Sequence, residues 1–222
     1  AVINRLLVAF GEQLCPGPDA AHADAYLGDK AACKAHATKI GTTSIFTLME
    51  KKYATSDDTT ALYRALTIAS IVMREVSQSK PDIQKVTDVY YNRWLVSTGA
   101  LPGPPNDMVA NLGGDPTAQY ARDTDTPPKD GVYWKALNGA ASSIAANNLY
   151  NTNNPIHKGL PPGPISAPVW THIADAINPN PTGPTPNYYF FASCQGGKNV
   201  IYYAATNDQF NQLLAQHPPT TC

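Results

Sequence analysis

Apolar residues recur at helical spacing through the first hundred positions and at strand spacing only near the end of the chain. Ile3, Leu6, Leu7, Phe10 and Leu14 share one face and predict a helix over residues 2–14, which the run CPGPD (15–19) stops. Residues 16–40, rich in Ala and polar side chains, read as a loop with one short helix, and SIFTLMEKKYA (44–54) predicts another helix. The segment SDDTTALYRALTIASIVMREVSQ (56–78) offers Asp57 or Asp58 as N-cap and apolar residues at 62, 66, 69, 72, 73 and 76. Ile68 and Ile71 fill its opposite side, so this helix is apolar nearly all round and belongs in the middle of a domain.

After Pro81, a residue suited to a helix start, DIQKVTDVYYNRWLVS (82–97) repeats the helical pattern through Ile83, Val86, Tyr90 and Trp94. From Thr98 to Asp130 Pro, Gly, Asn and Asp accumulate, which reads as a long functional loop rather than a packing element. A second Pro/Gly block, PIHKGLPPGPISAP, covers 155–168, and VWTHIADAI (169–177) predicts a short helix. YYFFAS (188–193) and NVIYYAA (199–205) alternate in strand fashion across a glycine turn, predicting a β-hairpin, and a helix near 207–216 closes the chain. The expected fold is α+β: a central apolar helix, flanking helices and a small antiparallel sheet with a C-terminal hairpin.

A chain of 222 residues can bury a substantial core, and one domain is the simplest organisation. The net charge of −1 and the scatter of Lys and Arg exclude a basic track for nucleic acid or an acidic membrane surface. Only 15% of residues are charged, while Asn, Thr, Ala, Pro and Tyr are abundant, a composition of secreted polar surfaces. Cys15, Cys33, Cys194 and Cys222 form no C-x-x-C pair and have no His at zinc spacing. Disulfides are the favoured reading, with Cys15–Cys33 and Cys194–Cys222 the simplest of three connectivities and four buried thiols the alternative. No apolar run reaches the ~18 residues of a membrane span, and no signal peptide is present. The chain begins inside a predicted helix and so reads as an excised portion of something longer.

Patterns that carry chemistry are few. There is no G-x-S-x-G, and His22, His36, His157, His172 and His217 stand far apart without metallohydrolase spacing. CQGGKN lacks two elements of a phosphate loop and is explained by a hairpin turn. Glu75 is different. It is one of three glutamates against fourteen aspartates, and its helical neighbours at i−4 and i−3 are Ile71 and Val72. An apolar wall disfavours the ionised carboxylate and raises its pKa, which suits a general acid. The plain alternative is an exposed glutamate near a helix end, paired with Lys80, and periodicity alone favours it.

TIASIVMREV (67–76), DVYYNR (88–93), GGDPTAQY (113–120), LYNT (149–152) and GLPPGPISAP (159–168) occur in an order and spacing that resembles the endolytic murein transglycosylase family, the MltG or YceG-like proteins. That family's pattern runs roughly ASIVEKE, VFxNR, DPT, YNTY, GLPPGPI. The resemblance spans about residues 60–205, with residues 1–60 similar to a helical lead-in, and it implies a single catalytic domain over 1–222. It marks Glu75 as catalytic. The motif's first glutamate is Met73 here, and the later G-G-H and E-H-N give way to Gly197-Lys198 and Asn207-Asp208.

By this resemblance the protein would cleave the MurNAc-β-1,4-GlcNAc bond within glycan strands and leave 1,6-anhydro ends, with Glu75 acting first as acid and then as base. No cofactor or metal is implied. Gly159, Leu160, Pro161, Pro162 and Gly163 would form a rigid wall beside the sugars. Asn92, Asp115, Asn151 and Thr152 are candidates to bond sugar hydroxyls or to hold Glu75, with Thr117 carried over beside them, and Arg93 would pair with Asp115. Their alternative is loop anchoring, which for Asp115 before Pro116 weighs equally. Tyr120 and Tyr150 would stack on sugar faces or pack. The implied partners are peptidoglycan strands and peptidoglycan synthases. The implied location is the extracytoplasmic cell envelope, with a membrane anchor outside this chain. Two other readings stand beside this one: a weakly active or inactive peptidoglycan-binding module, and a glycan hydrolase using Asp115 as second carboxylate.

Overall fold

The computed structural model describes residues 15, 30–39, 41, 43–76, 79–104, 111–137, 144–180, 186–220 and 222. The helix expected over 2–14 lies outside them. The chain divides into two compact units, residues 1–65 and 66–222.

The first unit holds α1 (Lys30–Lys39), α2 (Ile45–Lys52) and the opening turns of α3 (Asp58–Glu75). Ser44 caps α2 by accepting the Phe46 amide at 3.2 Å, and Lys51 and Lys52 sit favourably in its last turn. Phe46, Met49 and Tyr53 supply the apolar interior. Of the two aspartates offered as cap for α3, Asp57 takes the role: its carboxylate accepts the amides of Thr59 (3.3 Å) and Thr60 (3.0 Å). Cys15 is bonded to Cys33.

The second unit holds the rest of α3, then α4 (Lys80–Ser97), α5 (Asp115–Asp125), α6 (Trp170–Ile177), strands β1 (Tyr189–Gln195) and β2 (Lys198–Ala204), and α7 (Asn207–Gln216). The fold is α+β. Six consecutive positions of α3, Thr67 to Val72, are all buried, so the helix is enclosed on every side at that level. The deepest stripe differs from the one expected. Ala61, Ala65, Ile68 and Val72 are completely covered, whereas Leu62 and Leu66 are half-buried. In α4 the predicted face, Ile83, Val86, Tyr90 and Trp94, is buried, and Thr87, Asp88, Val89, Tyr91 and Asn92 are buried with it, so this helix is also covered on every side at that level.

α5 is a correction to the sequence reading, which took residues 98–130 as irregular. Gly114 occupies its N-cap and Pro116 its first turn, where a missing amide costs no hydrogen bond. Ala118 and Ala121 then turn inward against Ile144. The hairpin follows expectation, pairing Tyr189 with Ala204 through to Gln195 with Lys198. Gly196 and Gly197 both have positive φ (56° and 76°), the geometry a two-residue primed turn requires. α7 packs Phe210 against Tyr189 (5.3 Å between ring centroids) and Phe191 (5.6 Å).

Cys194 is bonded to Cys222, tying β1 to the C-terminal residue. Peptide mapping without reductant is expected to recover both linked pairs. Replacing Cys194 and Cys222 together by Ala is expected to cost about 3.5 kcal/mol, the loop-closure entropy of a bridge that spans 28 positions, read as a lower Tm.

Candidate active site

α3 delivers Glu75 at its C-terminal end. The Val76 carbonyl just beyond is bound by His172 Nε2 at 2.8 Å, from α6. A carbonyl can only accept, so this nitrogen carries the proton, leaving Nδ1 to face the Thr171 hydroxyl at 3.3 Å. A buried imidazole thus binds the backbone one residue beyond the end of α3.

Glu75 accepts a hydrogen bond at Oε1 from the Tyr90 hydroxyl, 2.6 Å away on α4. Burial of the carboxyl group pushes it up to about 7; the Tyr90 bond works against this shift and the negative charge of Asp115 adds to it. The Tyr90 phenol is itself raised well above its ordinary value by burial and by the facing Glu75, so it remains a neutral donor. The arrangement supplies a carboxyl group half-protonated near neutrality, with one oxygen held. A group of that kind both gives and takes a proton at physiological pH.

The DPT and YNT segments are joined by one side chain. Thr152 Oγ1 accepts the Gly114 amide (3.1 Å) and shares a hydrogen bond with Thr117 Oγ1 (2.6 Å), while its carbonyl accepts the Gly113 amide (3.0 Å) and Asn111 Nδ2 (2.7 Å). Thr117 and Thr152 are both buried and positioned by each other. Gly114, so held, lies against Tyr90: a Cβ there would sit 3.1 Å from the Tyr90 hydroxyl oxygen.

Asp115 is exposed on the first turn of α5, and its Oδ1 accepts from Asn153 Nδ2 at 2.9 Å. Arg93 does not pair with it. The guanidinium turns to the carbonyls of Asn111 (3.4 Å) and Tyr188 (3.5 Å), because a buried cation needs acceptors within reach of its own helix face and two backbone carbonyls are there. Asn92 is buried and gives its amide to the Asn187 carbonyl (3.1 Å), which anchors the approach to β1. Asn151 is buried as well.

The GLPPGPI segment is fastened at both ends. The Gly159 amide donates to Ser97 Oγ (3.1 Å) at the end of α4, and the Ile165 amide donates to Ser70 Oγ (3.0 Å) within α3. Ser166 Oγ then returns a bond to the Ser70 carbonyl (2.9 Å). Between these anchors Pro161 and Gly163 are buried while Pro162 is exposed. Gly159, Leu160 and Pro162 line a hollow of about 520 Å³ together with Thr152, Leu149 and Ile156; Glu75 is not part of its wall. Tyr120 and Tyr150 pack on each other, centroids 4.8 Å apart, with Trp134 6.1 Å from Tyr120. The Arg74 guanidinium stacks over Trp134 at 4.1 Å.

Glu75, Asp115, Thr117 and Thr152 were singled out from the sequence, whereas Tyr90 beside Glu75, Ser70 beside Ile165, His172 beside Val76 and Trp134 beside Arg74 are contacts that only the structure brings. Ser70 left a trace, since a hydroxyl inside a run of apolar helix positions must find partners. Among the described residues no group of three or more His, Cys, Asp or Glu is placed to hold a metal ion, and no helix is long and apolar enough to cross a membrane. The model of the YceG-like family matches residues 24–216. No curated protein and no solved structure matches the chain.

Proposed function

The chain belongs to the YceG-like family, the family of the endolytic murein transglycosylases, and from that premise we propose that it cleaves peptidoglycan strands internally by a non-hydrolytic route, with Glu75 as its single acid and base. The observation that carries this reading is the Glu75 carboxyl itself, buried at a helix end, raised to about 7 and held by Tyr90.

The proton on Glu75 passes to the glycosidic oxygen as the bond from that oxygen to C1 of N-acetylmuramic acid breaks. The O6 hydroxyl of the same sugar then bonds to C1, and its proton goes to the Glu75 carboxylate. The carboxyl group ends as it began, and no water is consumed. Because nucleophile and electrophile share a ring, their effective concentration is that of an intramolecular reaction, and water competes poorly. One carboxyl suffices where a hydrolase needs two.

Around it, the doubly anchored GLPPGPI segment supplies a wall that meets sugars with little ordering cost, and the adjoining hollow of about 520 Å³ extends the surface along which a strand lies. Asn92, Thr117 and Thr152 act by holding the backbone of the site, through the Asn187 carbonyl, the Gly114 carbonyl and the Gly114 amide. The setting is the cell envelope outside the cytoplasm, and peptidoglycan synthases are the partners that the family suggests.

A second reading, hydrolysis with Asp115 as the second carboxylate, is favoured by one fact: Asp115 is exposed and near enough to raise the Glu75 carboxyl. Digestion of purified peptidoglycan in ¹⁸O-labelled water separates the two. The expected fragments end in 1,6-anhydro-N-acetylmuramic acid, resist borohydride and carry no label. Reducing ends bearing labelled oxygen would establish the hydrolase instead, and unchanged strands would leave the chain a binding module.

A further inference from the structure

A carboxylic acid carries its proton on one of two oxygens, and a general acid works only if that oxygen faces the leaving group. In Glu75 the choice is made by a neighbour. Oε1 already accepts the Tyr90 hydroxyl at 2.6 Å, and because the carbonyl oxygen of a carboxylic acid is its better acceptor, this bond favours the acidic proton on Oε2. We propose that Tyr90 is a positioning residue that fixes Oε2 as the proton-carrying oxygen of Glu75 and holds the carboxyl group in one orientation for both proton transfers. This inference rests on the reading of Glu75 as the acid and base.

The phenol is well placed for such a task because it cannot easily move. Its ring meets Phe190 of β1 edge-on, with centroids 5.9 Å apart. On another side stands Gly114, whose absent Cβ would fall 3.1 Å from the hydroxyl oxygen and 3.2 Å from Cε1. Gly114 is fixed in turn by the Thr152 hydroxyl. A rotation of Tyr90 away from Glu75 therefore meets an aromatic ring or a pinned backbone.

The charged and titratable groups around the pair come from four elements. Tyr90 and Arg93 come from α4, and Asp115 from the first turn of α5. Arg74 of α3 is engaged with Trp134, and His172 of α6 binds the Val76 carbonyl. Asp115 disfavours the carboxylate of Glu75, while Tyr90 is the neighbour whose hydrogen bond favours it. When Glu75 gives up its proton, the new charge spreads onto Oε1, where the Tyr90 hydroxyl strengthens its bond. Removing the hydroxyl thus leaves the carboxylate with burial and like charge alone, and the proton is held more tightly.

The chain has only three glutamates, so ¹³C labelling of glutamate carboxyls followed by NMR titration resolves each one, with Glu75→Gln providing the assignment. In Tyr90→Phe the Glu75 midpoint is expected to rise by about one pH unit, the alkaline limb of kcat/KM to move with it, and cleavage to fall about tenfold. The phenyl ring retains the contact with Phe190, and a merely structural role would lower Tm without moving the midpoint. A folded Tyr90→Phe protein whose Glu75 midpoint and pH profile are unchanged would overturn the proposal. If that variant does not fold, Gly114→Ala presses on the hydroxyl without deleting it, and an unmoved midpoint there has the same force. Cleavage retained by Glu75→Gln would instead sink the transglycosylase reading, whatever Tyr90 does to the titration.

Discussion

Replacing Glu75 by Gln is expected to reduce strand cleavage by at least about a thousandfold, because the amide has the shape of the carboxyl but no proton to deliver and no basic oxygen to recover one. The same variant is expected to be more stable at alkaline pH. Glu75 has a folded-state pKa raised to about 7 from an ordinary 4.5. Between those values the folded protein binds more protons than the unfolded chain, so stability falls as pH rises through that window and the full cost is present above 7. Removing the titration removes the cost, which by the size of the shift amounts to about 3 kcal/mol at pH 8 and vanishes below pH 4.5. Tyr90 can still donate to the Gln carbonyl, so the local contacts survive. The measurements are the rate of release of soluble fragments from purified peptidoglycan and thermal unfolding at two pH values. Retained cleavage would move the acid elsewhere, with Asp115 the next residue to replace. Equal destabilisation at both pH values would mean that Glu75 is held by its contacts and not strained by its charge.

That Glu75 is singular was legible because its neighbours at i−3 and i−4, Val72 and Ile71, lie in the same short window, and a helix makes such spacing physical. The hairpin was legible for a similar reason, since two adjacent glycines between alternating segments specify one turn. Tyr90 was hidden by its own amphipathic character. A tyrosine on the buried stripe of α4 reads as core, and nothing local says that its hydroxyl ends 2.6 Å from a residue fifteen positions away. The contact between Thr117 and Thr152 crosses 35 positions, and that between Ser70 and Ile165 crosses 95, so no periodicity can carry them. The motifs single these segments out. What they do for one another is a property of the packed chain: DPT and YNT are stitched together at Thr152, and GLPPGPI is tied to both long helices. α5 was misread because Gly113-Gly114 and Pro116 count as breakers in a window average, yet at a helix start the same residues are a cap and a permitted first turn.

The stitched segment also predicts the most damaging small substitution outside Glu75. In Gly113→Ala the new methyl would lie 2.2 Å from a terminal nitrogen of Arg93, at a backbone φ of +61°. The left-handed conformation alone costs an alanine about 1 kcal/mol. The guanidinium is buried and bonded to the Asn111 and Tyr188 carbonyls, so its retreat loosens charge-assisted hydrogen bonds worth about 2 kcal/mol. The expected total is about 3 kcal/mol, or a fall in Tm of roughly 6–12 °C for a chain of this size. Gly99→Ala is the control, for its φ is +76° but a Cβ there meets nothing within 4 Å. It is expected to lose only the conformational part. Cleavage should separate the two variants more sharply than stability does, because Gly113 precedes Gly114, and a displaced Gly114 backbone bears directly on the Tyr90 hydroxyl that holds Glu75. Equal losses of stability and of cleavage in the two variants would mean that Arg93 accommodates the methyl group, and that the glycine at 113 serves the turn and not the site.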